Sequence, residues 1–385
     1  MKTAVFDSRW ILEKPSGIGV YALEMARRLP ALLAGAWRFV FLVGDEAARK
    51  RLVEALPATS LAAGNVLPVG YGPASLKNQL RLPGLLRRLG ADLYHAPSFM
   101  VPWRAFRKGG GGGVRCISTI HDVIPLVVPG YAPRAKASRL KGVYRFCLRQ
   151  TALRSDVLVT GSETSRRDIV RALRLPEGAA ARIRVVADGA DPAFSAHGRA
   201  PIRAADDPSE RTLLYVGRRD PYKNLPMLVE AFAAARAAAP FPMKLVVVGH
   251  RDPRYPEAEE RAKALGVAAA VDFAGPVPFR ELVALYRRAD LLVHPSRYEG
   301  FGLQIAEAFA SGLPVLCTDG GSIPEVAGDA ARIVPLSAGA AGFSAQMLAL
   351  LLDPLALARL RAAGLNRAPL FTWDRCAEGV AAAYG

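Results

Sequence analysis

The residues with acid, base and phosphate chemistry gather in a few short stretches. The sharpest is Glu299-Gly-Phe-Gly-Leu-Gln-Ile-Ala-Glu307, just after the apolar run 291–295. Gly300 and Gly302 flank Phe301 and let the backbone approach a ligand closely. A helix over 301–310 would then present free N–H groups and a positive dipole end, which suits a pyrophosphate. Glu307 falls about one and a half turns inside that helix. Glu299 and Glu307 would thus bracket a ligand over the Gly300–Leu303 turn, their carboxylates accepting from ribose or sugar hydroxyls. A second stretch, Val216-Gly-Arg-Arg-Asp-Pro-Tyr-Lys-Asn224, puts Arg218 and Lys223 after a strand. Two cations there can neutralise a departing diphosphate.

Three weaker stretches follow. Ser16-Gly17-Ile-Gly19-Val-Tyr21 is a glycine turn between a strand and a helix. It lacks the third glycine of a dinucleotide fingerprint, and no acid follows the second strand as that fingerprint requires. Thr119-Ile-His121-Asp122 ends an apolar strand, so His121 would sit at a ligand-binding strand end. His95 and His294 share such positions and rank below it. Trp103-Arg104-Ala-Phe106-Arg107-Lys108 runs into five glycines, Gly109 to Gly113, which reads as a flexible loop. Its aromatic and basic residues, with seven more cations over 134–154, suit an acceptor or lipid headgroups.

The elements that position these residues alternate. Apolar runs lie at 4–7, 39–44, 65–70, 92–97, 116–122, 156–162 and 183–188, with helical periodicity between them at 21–33 and 140–152. They are rich in Val, Ile and Leu without polar alternation, the pattern of parallel strands covered on both faces. Residues 193–210 are small, polar and aperiodic. The alternation restarts at 213–217, 245–249, 271–275, 291–295, 315–319 and 332–335, with helices at 225–239, 279–289 and 301–310 between. A last helix runs over 373–384. The fold class is α/β: two Rossmann-like parallel-sheet domains, each opening a crevice at the carboxyl ends of its strands and facing a shared cleft. The expected division is 1–195, a linker at 196–210, 211–369, and a C-terminal crossover helix at 370–385. The chain's 385 residues suit two such domains.

Charge separates the halves. Residues 1–200 hold 31 basic and 14 acidic side chains, and residues 201–385 hold 20 of each. A one-sided basic surface fits an anionic partner: phospholipid, a lipid pyrophosphate or nucleic acid. No helix-turn-helix, finger or RNA-binding signature accompanies the charge, which argues against nucleic acid. The cysteines, Cys116, Cys147, Cys317 and Cys376, are too far apart in sequence for a redox or metal pair and read as buried thiols. No secretory signal or bilayer-length apolar stretch is seen. The longest candidate, 31–43, is broken by Arg38. The expected location is the cytoplasm, peripheral at the inner face of the membrane.

Taken together, these motifs resemble the family 4 glycosyltransferases of the GT-B fold over nearly the whole chain. The match includes Glu299-x7-Glu307, Gly217-Arg218 with Lys223-Asn224, Thr119-Ile-His-Asp122, Val185-Val-Ala-Asp-Gly-Ala-Asp191, Gly320-Gly-Ser-Ile-Pro-Glu325 and Phe371-Thr-Trp373. The opening Asp7-Ser-Arg with Gly17-Ile-Gly-Val-Tyr21 is similar to the bacterial branch that builds O-antigen and exopolysaccharide, including many mannosyltransferases. The resemblance implies retaining transfer from a nucleoside-diphosphate sugar, GDP-mannose by preference, to a lipid-linked saccharide, with no cofactor and no essential bound metal. It implies that Arg218 and Lys223 hold the pyrophosphate, Glu307 the ribose and Glu299 the sugar hydroxyls. His121 would lie near the reacting sugar, with Gly17 and Gly19 on the phosphate side. Where the family usually has Pro-Asn-Gly-Val-Asp, this chain has Ala187-Asp-Gly-Ala-Asp191. A GT-B sugar epimerase or hydrolase, or a basic nucleic-acid-binding protein, remains the alternative.

Overall fold

A computed structural model describes residues 1–13, 16–62, 64–134 and 140–385. The apolar runs form strands β1 Lys2–Asp7, β2 Trp37–Val43, β3 Gly64–Pro68, β4 Leu93–Ala96, β5 Arg115–Thr119, β6 Val157–Thr160 and β7 Ile183–Val185. The second series is β8 Arg211–Val216, β9 Met243–Val248, β10 Val271–Gly275, β11 Leu291–His294, β12 Val315–Thr318 and β13 Arg332–Val334. All pairings are parallel. The first sheet has the order β3-β2-β1-β4-β5-β6-β7 and the second β10-β9-β8-β11-β12-β13. Every residue of β6 and β11 is buried, which explains why these strands read as continuous apolar runs.

Both orders reverse at one point, between β1 and β4 in the first sheet and between β8 and β11 in the second. Connections leave such a pair in opposite directions and open a crevice at its carboxyl end. The stretch holding Arg218 and Lys223 follows β8, and the one holding Glu299 follows β11. The topology therefore delivers both to one switch point.

The described residues pack as two compact units. One holds Met1–Val127, Leu140–Asp188 and Trp373–Gly385, and the other residues 128–134 and Gly189–Thr372. The division in the chain falls at Asp188, a few residues before the expected linker. Residues 196–210 belong to the second unit: Ile202 packs on its core, and Arg199 donates to the Tyr286 and Ala289 carbonyls. Residues 128–134 join the second unit although they lie early in the sequence. Tyr131 stacks on Tyr222 with centroids 5.0 Å apart, and Arg134 pairs with Glu257 at 2.8 Å. The helix Trp373–Ala381 packs on the helix Gly17–Leu32 of the first unit, where Arg28 meets Asp374 at 2.6 Å. Among the described residues no single helix is long and apolar enough to cross a membrane. The pair Leu336–Leu351 and Pro354–Leu370, bent by 96°, reaches that length and composition only together, and Phe343, Met347 and Leu350 lie in the second core.

The stretch Trp103–Lys108 departs from its sequence reading. Phe106 is 6% exposed and stacks on Tyr94, with centroids 5.8 Å apart. Trp103 is half-buried, its indole N–H donating to Thr151 Oγ1 at 3.3 Å. The aromatics belong to the core beside β4, because an apolar ring gains more there than in water. Only Arg104, Arg107 and Lys108 are exposed. The glycine run is tied down as well. Gly109 N–H donates to the Leu153 carbonyl at 2.9 Å and Gly111 N–H to Asp156 Oδ1 at 2.8 Å. Of the basic stretch over 134–154, residues 135–139 lie outside the described residues.

Candidate functional site

Strand β8 ends at Val216, and the loop after it closes in a short 3₁₀ turn, Pro221–Lys223. Asn224 then takes the left-handed conformation at φ 61° and starts the helix Leu225–Ala238. Tyr215 Oη–H donates to the Arg218 carbonyl at 2.7 Å and holds the loop against the strand end. Asn224 Nδ2–H donates to the Pro295 carbonyl at 3.2 Å, and Arg297 N–H to the Tyr222 carbonyl at 2.8 Å. These bonds tie the β8 loop to the β11 loop.

The result is a buried ion pair. Lys223 Nζ lies 2.6 Å from Glu299 Oε1, both side chains being 8% exposed. His294, the last residue of β11, places Nε2 3.1 Å from the same oxygen. Burial opposes ionisation of Glu299, but the Lys223 charge and His294 outweigh it and hold the carboxyl well below its usual range. Arg218 is arranged otherwise. Its side chain is 65% exposed and its Nε sits 2.7 Å from Asp220 Oδ2. Lys223 and Glu299 thus meet directly, while Arg218 reaches outward from the same loop.

Glu299 is aimed by its backbone. Glu299 bridges Gly321, and Ser322 donates to its carbonyl through N–H at 3.0 Å and Oγ at 3.1 Å. A Cβ on Gly321, at φ +65°, would lie 2.4 Å from the Glu299 carbonyl oxygen. Only glycine allows the β12 loop to come this near. Gly302, at φ +92°, turns the chain into the helix Leu303–Ala310. Phe301 points away from the turn into the core, edge-on to Phe371 at 5.7 Å.

Glu307 sits apart from that pair. Tyr286 Oη–H donates to Glu307 Oε2 at 2.6 Å. Burial pushes the Glu307 carboxyl up to about 7, against the Tyr286 hydrogen bond and helped by Asp191. The two glutamates of the motif therefore have separate partners and titrate in opposite directions.

The remaining sequence-read residues lie in the first unit. His121 follows β5, its Nε2 3.1 Å from the Pro97 carbonyl and its ring edge-on to Tyr21 at 4.9 Å. A carbonyl only accepts, so Nε2 is the donor in this contact. Thr119 Oγ1 donates to Tyr21 Oη at 3.2 Å. Burial raises the Asp188 carboxyl, with the nearby His121 acting against it. Gly17 opens the helix Gly17–Leu32, capped by Ser16 Oγ accepting from Gly19 N–H at 3.1 Å. Among the described residues no group of three His, Cys, Asp or Glu side chains is placed to hold a metal ion.

Known proteins share the family and the fold. Residues 15–194 match the family described as Glycosyltransferase Family 4, and residues 202–367 that described as Glycosyl transferases group 1. A D-inositol 3-phosphate glycosyltransferase of Salinispora arenicola is 30% identical, over 96% of this chain and 87% of the relative. The chain belongs to glycosyltransferase family 4. An O-antigen chain mannosyltransferase B of Escherichia coli is 27% identical to this glycosyltransferase, over 99% of the chain and 98% of the relative. Among solved structures, an Anabaena protein in complex with UDP and glucose superposes with a TM-score of 0.72 at 17% identity, covering 100% of this chain and 99% of that one. That likeness shows the fold, GT-B. In this glycosyltransferase the first match contains Gly17, Gly19 and His121, and the second contains Arg218, Lys223, Glu299 and Glu307.

Sequence reasoning ranked His294 low and missed Tyr215, Tyr286 and Gly321 as positioning residues. His294 carried one usable signal, its place at the end of the strand preceding Glu299. Gly321 lay in the quoted Gly320–Glu325 stretch but without a role, and nothing in the sequence says that Tyr215 turns to the Arg218 carbonyl or Tyr286 to Glu307, 21 residues on.

Proposed function

We propose that this glycosyltransferase moves mannose from GDP-mannose to a lipid-linked saccharide in cell-surface polysaccharide synthesis, working against an anionic membrane. The observation that carries the reading is the buried Lys223–Glu299 pair at the β8/β11 switch point. It offers a cation for the diphosphate and a carboxylate for sugar hydroxyls within one small-molecule length. The Escherichia coli relative, named as a mannosyltransferase and aligned end to end, supports the sugar. The UDP and glucose complex of the Anabaena protein supports a nucleotide-sugar donor.

In the proposed step the bond from the anomeric carbon to the diphosphate oxygen breaks, and one to the acceptor oxygen forms on the same face. The acceptor proton leaves with the diphosphate. Lys223 and Arg218 take up the charge that grows on the leaving group, which is where stabilisation raises the rate. Glu299 orients the sugar, and Glu307 accepts from the ribose. The turn Gly300–Leu303 lies along the phosphates. His121 serves the reacting sugar, and Gly17 and Gly19 the phosphate side. These cations do the work without a required metal.

Thermal-shift screening with GDP-mannose, UDP-glucose, ADP-glucose and dTDP-glucose tests the donor, since stabilisation follows occupancy of the folded state. GDP-mannose should give the largest shift. Transfer to a lipid-linked acceptor should yield a product with the donor's anomeric configuration by NMR. Preference for another base, or inversion, would overturn that part of the reading. D-inositol 3-phosphate belongs in the acceptor panel because relatives such as the Salinispora enzyme are named for it.

Glu307 gives a pH test. With its carboxyl at about 7, it is mostly protonated at pH 6 and mostly ionised at pH 8. Affinity for a nucleoside-diphosphate sugar, whose own charge is constant in this range, should rise about tenfold from pH 6 to 8. Glu307→Gln should flatten the curve; an unchanged slope in that variant would remove the ribose role. The same group contributes stability that is full below about 4.5 and is lost as pH rises through about 7.

A further inference from the structure

The first unit carries an apolar and basic face that the site does not use. On the helix Leu76–Arg88, Leu76 is 74% exposed and Leu80 57%. On the helix Lys141–Arg154, Val143 and Phe146 are exposed, with Leu140 just before the helix start. Trp103 joins the two helices. Its N–H donates to Gln79 Oε1 at 2.9 Å, its indole to Thr151 Oγ1, and its ring meets Phe146 edge-on at 5.7 Å. The exposed Leu, Val and Phe side chains thus lie on neighbouring elements around one indole.

Cations accompany them. Lys77 and Arg81 sit one residue past the two leucines, Lys141 and Arg145 run along the second helix, and Arg104 stands between. All five are exposed, and none makes an ion pair among the described residues. Between Glu54 and Asp156 the sequence has 15 Lys and Arg but only two acids, Asp92 and Asp122. Both acids accept from backbone N–H groups, Asp92 from Thr3 and Asp122 from Ile124.

We infer that this face docks on an anionic lipid surface, with Leu76, Leu80, Val143 and Phe146 entering the headgroup layer. It deepens the membrane part of the reading above and rests on it for biological sense. Exposed large apolar side chains grouped on one surface mark an interaction site. Uniform positive charge around them fits phospholipid and repels a second copy of the same face. Nucleic acid would meet the cations and leave the leucines unused. The role that the sequence gave to Trp103 and Phe106 thus passes to helix side chains on either side of them.

The test is co-sedimentation of the full chain with vesicles. Wild type should bind vesicles containing phosphatidylglycerol at least tenfold better than phosphatidylcholine alone. The variant Leu76→Ser, Leu80→Ser, Val143→Ser, Phe146→Ser should lose at least tenfold at both low and high salt. The variant Lys77→Ser, Arg81→Ser, Lys141→Ser, Arg145→Ser should lose binding mainly at low salt. Both should keep the donor thermal shift and transfer to a water-soluble acceptor. Equal vesicle binding by the apolar variant, no vesicle binding by wild type, or a wild-type dimer that the apolar variant abolishes would each overturn the inference. Vesicle binding without any sugar transfer would leave this face standing and remove the proposed function. Transfer without vesicle binding would do the reverse.

Discussion

Lys223→Ala should lower sugar transfer by about a hundredfold or more and also destabilise the protein, and the two effects should come apart in a double variant. The rate loss would follow from the proposed placement of the Lys223 charge at the departing diphosphate, where one donor is typically worth about 10²–10³ in kcat. The stability loss follows because Glu299 stays behind with its charge buried and only His294 beside it. Breaking one side of a buried pair costs about 3–5 kcal/mol. Lys223→Met with Glu299→Gln removes both charges and should recover most of the unfolding free energy without recovering transfer. The cycle of single and double variants, measured by denaturant unfolding and by initial rates, isolates the coupling. Transfer within a few-fold of wild type in Lys223→Ala would end the proposed role. The pair also sets an acid limit. Because Glu299 is held below its usual range, its contribution is present above about 4.5 and is lost as pH falls further. Glu299→Gln should blunt that acid-side loss.

Gly321→Ala should cost nearly as much activity without touching a charged group. The new methyl would sit 2.4 Å from the Glu299 carbonyl oxygen and 2.8 Å from its N–H nitrogen, both backbone atoms, so the β11 loop must move. A shift of about 1 Å in a positioned group can cost about a hundredfold in rate. Gly266→Ala is the control. Gly266 has φ +68°, close to that of Gly321, with nothing within 4 Å of its would-be Cβ. It carries the left-handed penalty of about 1–2 kcal/mol and no clash. Gly266→Ala should lower thermal stability and leave transfer intact. If Gly321→Ala lost no more activity than the control, backbone positioning of Glu299 by the β12 loop would be refuted.

Much of the fold was legible because parallel strands buried on both faces leave unbroken apolar runs. Each run the sequence offered became a strand, with ends moved by a residue or a few. The candidate-site loops were legible for a related reason: glycine and charged residues just after a strand stand out against apolar neighbours. The loop Trp103–Lys108 misled because composition does not record which face of a short turn meets the core. Phe106 reached Tyr94, on a strand ten or more residues earlier, and the glycines after it found Leu153 and Asp156.

The sequence by itself determined two doubly wound parallel sheets, the basic first half and the identity of the charged residues at the strand ends. These are properties of composition and short-range period, which local chain geometry converts directly into elements. The tertiary structure alone decided the partners: that Lys223 meets Glu299 rather than solvent, that Arg218 turns to Asp220, and that Glu307 lies against Tyr286. Strand order is the reason. It brings residues 76 positions apart within 2.6 Å, so that Lys223 and His294 send the Glu299 carboxyl down against its burial, while burial beside Tyr286 sends that of Glu307 up.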